Sequence, residues 1–125
     1  MRAQIKKFQN VEKKLSDTKG RFELFALFLR EDSPNKWDLL IAADWARGDK
    51  KASINIVVEE LKKELSEREL LMLSRLIILD KDDATQKALQ EARQVEHGLA
   101  EISDSDFLGL AIKHAYLITS RRESS

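Results

Sequence analysis

Between Ile5 and Leu15 the apolar residues fall at Ile5, Phe8, Val11 and Leu15, with lysines on the other side. That spacing predicts an amphipathic helix, ended by Gly20. The pattern then changes. FELFALFL, residues 22–29, is apolar at every position but Glu23, and WDLLIAADWA, 37–46, is a second apolar run. Runs of about eight to ten residues suit doubly buried strands and are short for buried helices. The intervening REDSPNK has the composition of a turn. We therefore expect strands at 22–29 and 37–43, with Ser33, Pro34 and Asn35 at or beside the turn. Centred on Ser33, this hairpin pairs Leu29 with Trp37, Leu27 with Leu39 and Phe25 with Ile41. The competing reading takes Ser33 and Pro34 as a helix start and leads to an all-α bundle. Both faces of the hairpin are apolar, so helices must cover both sides.

The rest of the chain supplies them. In KKASINIVVEELKKELSE, Ile54, Val57, Val58, Leu61 and Leu65 mark an amphipathic helix, with Glu59–Lys63 and Glu64–Arg68 as i,i+4 ion pairs. Ser66 and Glu69 have capping-box spacing and predict a short helix through Met72. RLIILD, 75–80, reads as a third strand and DDATQKALQEAR as a further helix. VEHGLAEI, 95–102, and AIKHAYLITS, 111–120, read as strands four and five around SDSDFLGL. The expected order is α-β-β-α-β-α-β-β. This is an α+β domain over residues 1–120, with a mixed or mostly antiparallel sheet of about five strands and a polar tail at 121–125.

Charge adds one asymmetry. The 125 residues carry 22 basic and 22 acidic groups, yet residues 1–21 hold seven basic groups against Glu12 and Asp17. The absence of cysteine excludes disulfides and thiolate chemistry. MRAQIKKFQNVEKK has no continuous apolar stretch of a signal peptide, and no run reaches membrane-spanning length. We expect a cytoplasmic protein without membrane association. No metal-ligand set and no cofactor motif is written in the chain, and its glycines (Gly20, Gly48, Gly98, Gly109) are isolated rather than gathered in a phosphate loop.

The sharpest chemical pattern is LIILDKDDAT, 76–85, an apolar strand ending in Asp-x-Asp. It resembles the first motif of haloacid-dehalogenase-type phosphohydrolases, and YLITS, 116–120, is similar to that family's strand-end Ser/Thr motif. The resemblance implies a Mg-dependent phosphoester hydrolase in which Asp80 attacks phosphorus and Asp82 handles the leaving-group proton. Thr85 falls one place later than that pattern, and no matching downstream lysine and acidic motif follows. Read locally, Asp80 ends a strand while Asp82 and Asp83 cap the next helix, Asp83 with Gln86 at capping-box spacing. A metal-dependent nuclease of the PD-(D/E)xK type would need Asp38 or Asp44 with Glu60 and Lys62, but that second pair falls on the most regular helix and points the wrong way.

His97 and His114 lie in phase with apolar neighbours, His97 with Val95 and Leu99, His114 with Ile112, Tyr116 and Ile118. A last hairpin symmetric about Ser105 and Asp106 would oppose them, as a ligand-binding pair or as structural histidines hydrogen-bonded to Tyr116 and backbone. Trp37, Trp45 and Phe8 are candidate interface anchors. The expectation from sequence is a non-catalytic interaction or regulatory domain forming a homodimer, with a protein partner open. The phosphoester hydrolase is the alternative. Nucleic-acid binding through the basic first helix is the weakest reading, since no aromatic platform accompanies its lysines.

Overall fold

The computed structural model describes residues 1–30, 35–81, 83–107 and 110–121. After a 3-10 turn at Arg2–Gln4, the elements are α1 (Ile5–Thr18), β1 (Leu24–Arg30), β2 (Trp37–Ala42), α2 (Asp44–Arg47), α3 (Lys50–Glu64), α4 (Glu67–Leu70), β3 (Leu73–Ile78), α5 (Ala84–Ala92), β4 (Ala100–Phe107) and β5 (Leu110–Ser120). The strands form one mixed sheet in the order β3-β2-β1-β5-β4, antiparallel except for the β2–β3 pair. The fold is α+β. A parallel neighbour requires a long crossover, and α2, α3 and α4 provide it between β2 and β3.

The first hairpin has the expected register, with Leu29 opposite Trp37, Leu27 opposite Leu39 and Phe25 opposite Ile41. Ser33 and Pro34 lie outside the described residues. Asn35 adopts a φ of 68°, a left-handed conformation that asparagine tolerates at the end of a turn. One face of the sheet, with Phe25, Leu27, Leu39, Ile41, Tyr116 and Ile118, packs on Phe8, Val11 and Leu15 of α1 and Val57 and Leu61 of α3. The other, with Leu24, Ala26, Phe28, Leu40, Ala42, Ala115 and Leu117, packs on Leu89 of α5 and on Leu79, which follows β3. Each fully buried Leu or Phe here contributes roughly 1.5–3 kcal/mol of transfer free energy.

Burial corrects two expectations about surfaces. Phe8 is 1% exposed and Trp37 7%, so both are core residues rather than interface anchors. Trp37 stacks on Tyr116 with ring centroids 5.4 Å apart. Among the described residues, Leu71 and Leu99 are the large hydrophobics left exposed, so the helices cover the sheet more completely than their number implied.

The last hairpin departs from the expected register. β4 begins at Ala100 and runs through Phe107, and His114 lies opposite Ser103. Phe107 pairs with Leu110, which places the connection at residues 108–109 and not at Ser105 and Asp106. Ser103–Asp106 has turn composition, but backbone pairing with β5 overrides that local preference. β5 also carries two register shifts against β1. Phe25 pairs with Thr119 and Ala26 with Leu117, so Ile118 is the extra residue and Thr119 turns toward α1. A second shift, between Leu29–His114 and Arg30–Ile112, moves Ile112 to the α5 side, away from the face of His114.

Candidate functional site

Glu12 sits one turn after Phe8 on the inner stripe of α1 and is fully buried. An isolated buried carboxylate is costly, so its partners define the locality. His97 Nδ1 lies 2.6 Å from Glu12 Oε1, and Thr119 Oγ1 donates to Oε2 at 3.0 Å. The His97 backbone N–H in turn donates to Thr119 Oγ1 at 3.2 Å, closing a ring of three residues. His97 is held at a φ of 53°, and Gln9 Nε2, from the same helix, donates to Gly98 O at 2.8 Å. Val95 pairs with Ser120 in an isolated bridge, and Gly98 N–H donates to Ile118 O at 3.0 Å. The segment before β4 is thus fastened to both α1 and the end of β5. The pairing of His97 with His114 expected from sequence is replaced by His97 with Glu12.

Next to this ring, Glu96 accepts two hydrogen bonds from Arg21, from Nε and from a terminal nitrogen, both at 2.9 Å. Arg121 Nε lies 3.5 Å from the same carboxylate and donates to Phe22 O at 2.8 Å. The two arginines border an open cleft of about 320 Å³ lined by Lys19, Gly20, Arg21, Asp44, Trp45 and Arg121. Trp45 Nε1 donates to Gly20 O at 3.0 Å, and its ring meets Phe22 edge-on at 5.6 Å. Gly20 adopts a φ of 138°, and a Cβ there would stand 3.1 Å from Trp45 Cδ1, so glycine permits this approach. Trp45, half-buried, is the one candidate anchor that reaches the surface.

The other sequence candidates are dispersed. Asp80 ends the edge strand's extension, with its side chain 79% exposed and ion-paired to Lys50, which holds its carboxyl below the usual carboxylate range. Asp82 lies outside the described residues. Asp83 is the N-cap of α5, accepting from Thr85 N–H at 2.8 Å and Gln86 N–H at 3.3 Å. Gln86 does not return to complete the box, because its amide donates to buried Glu23 at 2.9 Å, where Arg47 also binds at 2.9 Å. His114 Nδ1 lies 3.0 Å from Ser103 Oγ, and its Nε2 is 3.5 Å from Glu101. Asp38 is buried and paired with Arg75 at 2.6 Å. Among the described residues no three His, Asp or Glu side chains converge as a metal site.

Several of the basic groups on and just before α1 pair with carboxylates of the same chain. Lys7 pairs with Glu69 at 2.7 Å, Lys14 with Glu60 at 2.9 Å and Lys13 with Asp17 at 3.2 Å. Arg2 pairs with Glu101. Lys7, with the Ser66 backbone, holds the Glu69 carboxyl down at about 2. Lys14 likewise lowers Glu60.

Glu12, Thr119, Glu96, Arg21 and Arg121 were not foreseen as site residues. Glu12 carried a usable signal, a carboxylate at i+4 from Phe8 on an apolar stripe. Thr119 carried none, because its position depends on the bulge at Ile118. Among the described residues no helix is long and apolar enough to cross a membrane. No protein-family model, no curated protein and no solved structure matches this chain.

Proposed function

We propose that this chain is a non-catalytic interaction domain that pairs with a second copy of itself along the free edge of β3. The observation supporting this reading is the contrast between the two sheet edges. The outer strand β4 carries Glu101, the kind of charge that guards an edge against pairing. The outer strand β3 reads LSRLII, with Arg75 its single charge, and that guanidinium is already paired to Asp38. Leu71, two residues before it, is 69% exposed. Two β3 edges meeting antiparallel about a twofold axis join the sheets and bring the two Leu71 side chains under cover.

The test is sedimentation across a micromolar concentration series, with the double variant Leu71→Lys and Ser74→Lys for comparison. Both positions are exposed, so folding is retained and only pairing is opposed by like charge. A dimer that the double variant converts to monomer supports the reading. A 14.4 kDa species alone at every concentration overturns it.

A further inference from the structure

We propose that the cleft between the end of α1 and α2 binds a phosphate monoester that carries an aromatic group, of the size and chemistry of a nucleoside monophosphate. This site is separate from the β3 edge and stands or falls independently of it.

Three cationic side chains from two segments, Lys19 and Arg21 after α1 and Arg121 after β5, line the cleft, and each keeps donors that nothing else on the described chain uses. Arg121 spends only Nε, on Phe22 O and toward Glu96, so both of its terminal nitrogens are without a partner among the described residues. Its side chain is 18% exposed, which shields that charge from solvent. Arg21 gives Nε and one terminal nitrogen to Glu96 and keeps the other. Lys19 makes no ion pair among the described residues. Such a surplus of donors, with Arg121 and Arg21 positioned by their bonds to Phe22 O and Glu96, calls for an acceptor with several oxygens. Guanidinium forks match carboxylate or phosphate geometry, and the bidentate Arg21–Glu96 pair already displays that match on one side. Phosphate suits the remaining three donors better than a carboxylate, since it offers three terminal oxygens.

The other half of the cleft has different chemistry. Trp45 is fixed by its bond to Gly20 O and by Phe22, so the indole presents apolar surface without a free N–H. Such a platform accepts the face of an aromatic ring by stacking. Asp44 has one oxygen occupied by Arg47 at 2.8 Å, and its side chain is 73% exposed. It opposes an anion at that end and accepts from a hydroxyl or amino group instead. A cleft of about 320 Å³ falls at the small end of ligand pockets. The polarity therefore runs from phosphate at Arg121 and Lys19 to a hydroxyl- or amino-bearing aromatic group at Trp45 and Asp44.

The two tryptophans supply an internal control, because Trp37 is buried in the core while Trp45 lines the cleft. Adenosine 5′-monophosphate, inorganic phosphate and adenosine are titrated separately, following the two indole N–H signals by NMR. The monophosphate is expected to move the Trp45 signal saturably and leave Trp37 in place, phosphate to bind more weakly, and adenosine not to bind. Lys19→Glu, at an exposed position without a partner, and Arg121→Gln should each weaken the monophosphate by about tenfold or more. Glu96→Gln should tighten it, because it removes the carboxylate that competes for Arg21. No movement of Trp45 up to about 10 mM monophosphate, equal binding of adenosine, or unchanged affinity in Lys19→Glu overturns the proposal. If Arg121→Gln fails to fold, Lys19→Glu and Glu96→Gln decide it alone.

Discussion

Glu12 and His97, 85 residues apart in sequence, meet at 2.6 Å beneath a helix that leaves Glu12 no solvent. Their contact ties α1 to the segment entering β4, and Thr119 completes it from the end of β5. Glu12 is fully buried while the His97 side chain is 30% exposed, so losing the carboxylate leaves the buried Thr119 hydroxyl without its acceptor and costs about 1–3 kcal/mol. Glu12→Ala should therefore lower the urea midpoint sharply. His97→Asn, which tolerates the left-handed backbone, should cost less. In a double-mutant cycle the two should couple by about 1–3 kcal/mol. Additive losses would show that the contact carries no energy of its own.

Gly20→Ala places a side chain at a φ of 138° with its Cβ 3.1 Å from Trp45 Cδ1. The backbone strain alone is of order 1–3 kcal/mol, and the indole must also shift by a few tenths of an ångström. Urea unfolding should show the loss, accompanied by a shift of tryptophan emission. Gly48→Ala, which meets nothing within 4 Å, is the matched control and should change little.

The Lys7–Glu69 pair makes a pH prediction. The carboxyl is depressed from 4.5 to about 2, chiefly by Lys7, so the folded state holds Glu69 ionised where the unfolded chain begins to protonate it. Its stabilisation is fully present above pH 4.5 and is lost as pH falls toward 2. Glu69→Gln should flatten the acid limb of the stability profile within that window, with its loss of stability present at neutral pH and shrinking toward pH 2, where wild type has already lost the pair. An acid limb identical in wild type and variant would contradict the assignment.

Asp83, the N-cap of α5, should matter more to stability than Asp80, the residue that the motif resemblance makes the nucleophile. Asp83→Ala removes the acceptor for two N–H groups at the start of α5 and should cost about 1 kcal/mol. Asp80→Asn, at an exposed ion pair, should disturb stability much less. Chemical denaturation of the two variants side by side checks the ranking.

Much of the architecture was legible in local patterns. The apolar runs 22–29 and 37–43, separated by a turn composition, led to a hairpin with the observed register because one buried face on each side leaves no freedom to slip. The stripes of α1 and α3 and the capping box of Ser66 and Glu69 were equally readable, since each is satisfied within a few residues of chain. Charge on α1 was visible too, but not its use. Only the packing of α1 on α3 and α4 shows that Lys7 and Lys14 face Glu69 and Glu60.

The last hairpin and the clusters around it belong to tertiary structure. SDSD reads locally as a turn, yet it is carried in β4 by hydrogen bonds to a strand that begins at Leu110. That shift separates His97 from His114. A bulge at Ile118 then turns Thr119 toward Glu12, an inversion of side-chain phase that a period-two reading cannot contain. The sequence by itself determined the first hairpin, the helical stripes of α1 and α3 and which of their faces are apolar, because those follow from spacing along one segment. Which polar groups meet was decided only when α1, the ends of β1 and β5 and the approach to β4 came together. A buried carboxylate must take whatever donors the fold brings to it, and those donors lie as far as 107 residues away in the chain.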